Sequence, residues 1–429
     1  MSKPINIYIL PDTRRRQLIK HTLRTVFFNK GLTCAFTDNT DNALLTIGYA
    51  EQNDLVISEK YHQQLDQNVF AHQQLTTNGN IVNKFGGVDI ISTISYLVNS
   101  FQEYNDARPD EFGRFQYSSS LQYQLKNVEN NTVQQLIDGL FKSHPKLQGL
   151  AITNRKSRVF LTHDVDWVYA SIKEDGFYAL KHLRFDQILK LVFNATLGTP
   201  DWLNMDKIMK IEDEFGYKST FYWLLYQSAM NSDYDFHSKA IQNQFNEINK
   251  RGWENGVHKS MSDLTFADEA NIFGSVPDGN RYHFLKFALP IGYNLMEEAG
   301  IKLDTSLAFN DAFGLRNSFG QPFVPFNLAE NRPYRFVEIP QLMMDRTFFN
   351  ERTPLAEAKK KLFDFIEKNK YNCVFTIGWH NNFFTELKYK GYLQLYRDIL
   401  AGLKDLGIEG IGQRQIIEEY YNPFDQKIQ

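Results

Sequence analysis

The sequence predicts an α/β protein in two parts: a smaller α/β domain over residues 1–150 and, over residues 155–429, a parallel barrel or sheet of strands alternating with helices. Three observations carry that expectation. The chain has 429 residues, more than one domain usually holds. From residue 158 onward, short apolar strand runs alternate with amphipathic helical stretches, the pattern of a parallel sheet or barrel. Several of those apolar runs also end in Asp or His, and the C-terminal ends of strands are where such a barrel gathers its chemistry.

Taken in order, residues 5–9 read as a strand and 14–28 as a helix with apolar residues at helical spacing. Strands are predicted at Cys34–Phe36, Leu44–Gly48 and Leu55–Ser58, divided by turns rich in Asn and Asp. Helices follow at Asp89–Val98 and Val133–Phe141, with Asn105–Gly113 between them as a loop. The stretch Gln148–Ser157 is the expected boundary. Beyond it, Arg158–Leu161 enters a strand, Asp206–Phe215 is an amphipathic helix stopped by Gly216, and Thr220–Leu225 is an aromatic strand. Phe236–Lys250 is predicted helical and Gly256–Val257 a brief strand. The last strands are expected at Phe336–Ile339, Val374–Ile377 and Ile408–Gly410, with helices at Ala356–Lys368 and Tyr392–Leu403.

Composition narrows the function classes. With 47 basic and 50 acidic side chains the formal net charge is −3, which argues against a protein built to blanket nucleic-acid phosphates. A hydrophobic share of 42% with 23% charged residues is an ordinary globular mixture, so disorder and collagen-like repeats are excluded. Cys34 and Cys373 are the only cysteines; they permit one disulfide but no thiolate metal site. The N-terminal run lacks the apolar length of a secretory signal, and no segment reaches the ~18 apolar residues of a membrane span, so a soluble, cytoplasmic protein is expected. The basic, amphipathic run Lys181–Phe193 is expected to be a packing helix or lid, with membrane contact the lesser alternative.

The polar residues at strand ends are the informative ones. In Val159-Phe-Leu-Thr-His-Asp-Val-Asp-Trp167, period-2 alternation puts Asp164 and Asp166 on one side and His163 on the other. Two neighbouring carboxylates repel, and a divalent cation on one with the other left as a base relieves that repulsion. Capping of a following helix is the structural alternative. His258 ends the brief strand Gly256–Val257 and suits a borderline metal such as Zn²⁺, although a lone strand-end His is more often simply hydrogen-bonded. Arg281, His283 and Lys286 interrupt an apolar stretch; Arg281 can orient a carboxylate and His283 can complete a metal shell, although taken alone both read more readily as surface residues on an exposed strand or helix start. His380, preceded by Trp379, ends another apolar run, and Asp304 and Asp345 add carboxylates at apparent strand ends.

The run Thr162-His-Asp-Val-Asp166 resembles the first motif of the polysaccharide deacetylases (the NodB-homology group, carbohydrate esterase family 4), whose fold is a distorted (β/α) barrel. Glu254-Asn-Gly-Val-His258 is similar to the second motif of that family, Phe287-Ala-Leu-Pro290 with Gly300-Ile-Lys-Leu-Asp304 resembles the third and fourth, and Gly378-Trp-His380 the last. The likeness covers about residues 155–415, keeps motif order, and looks closest to a bacterial branch with an extra N-terminal α/β domain. It implies Asp164 as catalytic base, Asp166 and His258 as metal ligands, and His380 as catalytic acid. The family's further ligand falls at Ser262 here, so His283 is expected to replace it. The family's orienting Arg falls at Ala288, so Arg281 or Arg316 is expected to take that part.

The expected activity is metal-dependent removal of an acetyl group, an N-acetyl above all, from a sugar of a polysaccharide or its precursor, with Zn as the expected metal. Tyr282, Trp379 and Phe383 can offer ring faces to the sugar, with core packing the favoured alternative for any one of them, and Asp304 is expected to help bind or orient it. Two alternatives stay open: a carbohydrate-binding or assembly protein on a barrel that has lost its metal, which Ser262 favours, and an amidohydrolase acting on a small non-sugar amide.

Overall fold

The computed structural model describes residues 4–105, 108–150, 154–169, 172–198, 200–385 and 388–421. The expected boundary at 148–157 includes residues 151–153, which lie outside that set.

Four short strands, β1 (Ile5–Ile9), β2 (Cys34–Phe36), β3 (Leu45–Gly48) and β4 (Leu55–Val56), form a parallel sheet in the order β2-β1-β3-β4. Parallel pairing needs a crossover between strands, and the helix Arg16–Asn29 supplies the first one. Its apolar side is buried through Leu18, Ile19, Leu23, Val26 and Phe27. The helices Ile90–Val98 and Thr132–Ser143 complete this layer. Asp89 caps the first of them by accepting from the Ser92 backbone N–H.

The rest of the chain is α/β, a curled, all-parallel sheet that makes a distorted, open barrel. Its strands are β5 (Arg158–Val165), β6 (Ser219–Leu224), β7 (Glu254–Lys259), β8 (Gly279–Tyr282), β9 (Leu303–Asp304), β10 (Val337–Glu338), β11 (Met343–Met344), β12 (Val374–Gly378) and β13 (Glu409–Gly410). They run in the order β10-β9-β8-β7-β6-β5-β12-β11, with β13 also on β5. β5 is central and entirely buried after Arg158, because β12 pairs its first half and β6 its second. For that reason it extends four residues past the apolar run Arg158–Leu161 and carries its polar residues inside the sheet.

Two sequence expectations change. The run Lys181–Phe193 is not one helix: it breaks at Leu183 (φ 55°) between Ile172–Lys181 and Phe185–Leu197. Leu183, Leu189 and Phe193 are exposed, so the run does not bury its apolar face as a packing helix would. Cys34 and Cys373 are both free and buried, so no disulfide joins them. No helix among the described residues is long and apolar enough to cross a membrane.

The N-terminal layer covers the long excursion between β9 and β10. His21 Nε2 lies 2.7 Å from the Val324 carbonyl, Gln122 donates to Ser318 Oγ (3.0 Å), and the Phe326 N–H donates to Asn99 Oδ1 (2.9 Å). At the centre of the contact Arg316 forks onto Glu103 at 2.9 and 2.5 Å, with both side chains buried. A third Arg316 hydrogen bond reaches the Ala308 carbonyl, and the guanidinium lies against the rings of Phe287, Phe309 and Phe115. A buried pair of this kind contributes little against an apolar substitute, yet losing one partner strands a charge out of water. Glu103→Ala is therefore expected to destabilise the protein by about 3–5 kcal/mol in urea unfolding. A loss below about 1 kcal/mol would show that the pair is solvated and does not hold the two parts together.

Candidate active site

The curl of the sheet brings the ends of β5, β7, β8 and β12 to one cavity of about 290 Å³. Asp164 and Asp166 share a face at the end of β5, as the period of 2 requires, and both line the cavity. His163 points the other way. It is held by the Trp379 carbonyl (2.7 Å) and Glu212 Oε1 (2.9 Å), in a buried knot that Ser219, Trp253 and Tyr396 complete by donating to Glu212.

Arg281 on β8 compensates Asp164. It donates from Nη1 to Asp164 Oδ1 (2.6 Å), from Nη2 to Thr162 Oγ1 (2.8 Å) and from Nε to Thr305 Oγ1 (2.9 Å). Its guanidinium lies 4.9 Å from the Tyr222 ring centroid. Gly256 makes that platform possible, since a Cβ there would stand 2.5 Å from Tyr222 Cε1. Burial pushes the Asp164 carboxyl up, but Arg281, then His258 and His380, outweigh it and hold the group below the usual carboxylate range. Oδ2 is left buried with no hydrogen-bond partner.

Asp166, His258 and His283 form a group whose ligand atoms all lie within 4.8 Å of one another. His258 Nε2 is 3.4 Å from Asp166 Oδ1, and His283 Nε2 is 3.7 Å from Oδ2. The Arg281 carbonyl accepts from Nδ1–H of His258 at 2.8 Å, so that in a neutral ring the lone pair would lie on Nε2, on the carboxylate side. Two electron-rich atoms so placed repel unless a cation lies between them, and Asp166 Oδ1 has no hydrogen-bond partner of its own. The donor set of one carboxylate and two imidazoles fits a divalent metal. Burial opposes the ionised form of Asp166, yet His283 and His258 hold its carboxyl well below the usual range.

His380 enters from the end of β12, its Nε2 3.6 Å from Asp166 Oδ2 and 3.9 Å from Asp164 Oδ2. Asp345, the first residue of the helix Asp345–Asn350, accepts from both Nδ1–H and the backbone N–H of His380 at 2.6 Å. Burial works against the imidazolium, but Asp345 prevails and raises its pKa above the ordinary histidine value.

Not every predicted residue reaches the cavity. Trp379 is fully buried against Tyr392 and Tyr396, because alternation along the chain sends it to the face opposite His380; it is no platform for a sugar. Phe383 is likewise buried, stacked 3.9 Å from Tyr389. Arg316 belongs to Glu103, so of the two candidate arginines it is Arg281 that meets Asp164. Asp304 is fully buried and lines no part of the cavity; it accepts from Asn280 (2.7 Å) and from Ser306 Oγ (2.9 Å). Tyr282 does line the cavity, but its ring is stacked on Phe287 and meets Phe266 edge-on. Ser262 hydrogen-bonds Ser260 beside Glu269 and is not among the residues lining the cavity.

The sequence reading missed the cavity mouth. Arg346 lies 3.9 Å from Asp166 Oδ2 with its guanidinium against Trp167, and Asn310 and Asn350 line the same opening. Glu111, Phe112 and Arg114 reach it from the N-terminal layer. Asp345, noted as a strand-end carboxylate, was the available signal for its neighbour Arg346. Nothing local marks a loop 50 residues before β5 as part of the site.

A family of unknown function, DUF7033, matches residues 5–144, the N-terminal layer. No curated protein matches the chain. Among solved structures, a protein from Mycobacterium smegmatis provisionally termed a polysaccharide deacetylase is 16% identical with a TM-score of 0.39, over 64% of this chain and 92% of that one. A peptidoglycan deacetylase from Bacillus subtilis is 11% identical with a TM-score of 0.32, over 65% and 98%. An allantoinase is 11% identical with a TM-score of 0.38, over 61% and 89%.

Asp304 faces Glu338 directly across the β9–β10 pairing. Burial raises the pKa of both carboxyls, and the charge of Asp304 raises Glu338 further, well above its ordinary value. A carboxyl so raised contributes stability that is whole below its unfolded pKa of about 4.3 and is lost as pH climbs through the folded value. Glu338→Gln is expected to lose less stability than the parent between about pH 5 and about pH 8 in urea unfolding. Equal losses would mean that the pair stays ionised in the fold.

Proposed function

We propose that the chain is a metal-dependent hydrolase that removes an acetyl group, an N-acetyl in the first place, from a sugar of a polysaccharide or its precursor. The observation that carries this reading is the division of labour between two carboxylates two residues apart. Asp166 sits with His258 and His283, while Asp164 is held ionised by Arg281 with Oδ2 free toward the same cavity. The motif order of the deacetylases agrees with it, and the position of His283 beside Asp166 and His258 supports a third ligand despite Ser262.

Asp166, His258 and His283 would hold the cation. When bound, such a cation, for which Zn²⁺ is the proposed identity, supplies the positive charge that acidifies water and favours a developing oxyanion. Asp164 Oδ2 accepts the proton of the attacking water as it adds to the acetyl carbonyl. Arg281 keeps Asp164 ionised and fixes its second oxygen, so the base does not rotate away. His380, an imidazolium oriented by Asp345, delivers its Nε2 proton to the leaving nitrogen as the carbon–nitrogen bond breaks. At the mouth, Asn310, Asn350 and Arg346 offer hydrogen bonds of the kind a hydroxyl-rich ligand needs.

The purified protein is expected to release acetate from N-acetylated oligosaccharides, and dialysis against a chelator should abolish the activity until Zn²⁺ is restored. Asp164→Asn should lower kcat by roughly 10²–10⁴ with the fold intact by circular dichroism. Full activity in Asp164→Asn and in His258→Ala would overturn the assignment. Saccharide binding without any turnover would favour the non-catalytic alternative, and hydrolysis confined to small cyclic amides the other one.

A further inference from the structure

Three histidines point Nε2 at the carboxylates, and two of them have their other ring nitrogen tied down. His258 Nδ1 is held by the Arg281 carbonyl and His380 Nδ1 by Asp345. His283 Nδ1 is buried and has no hydrogen-bond partner. Its orientation must come from its backbone and from the rings beside it, Phe284 at 4.2 Å and His258 at 5.0 Å.

That backbone is unusual. The residues after His283, Phe284 (φ 56°) and Leu285 (φ 53°), both lie in the left-handed region, which side chains with a Cβ rarely adopt in succession. Such a segment persists where its surroundings over-determine it. Here the surroundings come from the N-terminal layer. Arg114 donates from Nη1 to the Phe284 carbonyl at 2.7 Å, and the Phe112 ring stacks on the Phe284 ring at 5.8 Å with 7° between their planes. Arg114 is itself braced by Asp110, which accepts from its Nε at 2.7 Å, and its guanidinium lies 4.9 Å from the Phe112 ring centroid. A ladder of planar groups thus runs from Arg114 through Phe112 and Phe284 to His283.

We infer that Phe112 and Arg114 are positioning residues for the metal ligand His283, so that the N-terminal layer is a working part of the metal centre rather than an appendage. The inference rests on the metal-binding reading above and assigns that layer a task within it. Removing the strut lets the segment 283–285 relax, and His283 then swings away from Asp166 and His258.

The test uses the full-length protein and Zn²⁺ affinity measured by competition with a chromophoric chelator, alongside thermal unfolding of the metal-free forms. Phe112→Ala and Arg114→Ala are expected to weaken Zn²⁺ binding about 10–100-fold, as loss of groups that orient ligands commonly does. Phe112→Tyr, which keeps the ring, should bind as the parent does, and all three should unfold near the parent temperature without metal. Phe112→Leu, which keeps bulk without a flat ring, replaces the alanine variant if that one fails to fold, with the same loss of affinity expected. Parent-like affinity in the alanine or leucine variants and in Arg114→Ala, with the parent itself binding Zn²⁺, overturns this inference alone. A parent that binds no Zn²⁺ overturns the metal-binding reading and this inference with it.

Discussion

Two buried carboxylates two residues apart at the end of one strand are an electrostatic problem that the rest of the barrel has to solve. Asp164 and Asp166 are both almost wholly out of water, and like charges at that spacing in a low-dielectric interior repel strongly. The fold answers each one differently. Asp164 receives the guanidinium of Arg281, whose planar fork also reaches Thr162 on the same strand. Asp166 receives two imidazole nitrogens at 3.4 and 3.7 Å, which with its own oxygens make a donor set that suits a metal. On the proposed reading, that asymmetry between a fixed organic cation and an exchangeable inorganic one leaves one acid as ligand and the other as base.

Much of the surrounding architecture serves that arrangement. β5 must be central to be buried at both carboxylates, and pairing with β6 and β12 makes it so. Gly256 admits the Tyr222 ring, against which the Arg281 guanidinium lies. The Glu212 knot fixes His163, and with it the phase of β5, from the opposite face of the sheet. A slip of one residue in β5 would exchange His163 for Asp164 in the cavity and abolish the site.

The sequence was most legible where chemistry and periodicity coincide. The apolar run before Asp164, the strand-end positions of His258 and His380, and the order of the motifs placed the cavity on the right strands. Asp304 and Trp379 face the core, which the sequence left undecided because a strand-end carboxylate and a ring beside a histidine look alike there whether they face a cavity or the core. Only the curl of the sheet decides between the two. Arg316 was misread for another reason: its partner, Glu103, lies more than 200 residues earlier, in a different layer. The contribution of Phe112 and Arg114 was illegible on the same ground, since a loop rich in Asp, Pro and Gly carries no mark of what it will pack against. In the N-terminal layer the strands themselves were read within a residue or two, because short β runs between Asn- and Asp-rich turns are local signals.

Whether Asp166 holds a cation while Asp164 stays free is addressed most directly by anomalous diffraction from a crystal soaked in Zn²⁺. A single strong peak in contact with Asp166, His258 and His283, with Asp164 still on Arg281, is the expected result. A peak that draws Asp164 off Arg281 into the ligand shell, or no peak at the cavity while the soaked ion binds elsewhere, would contradict it.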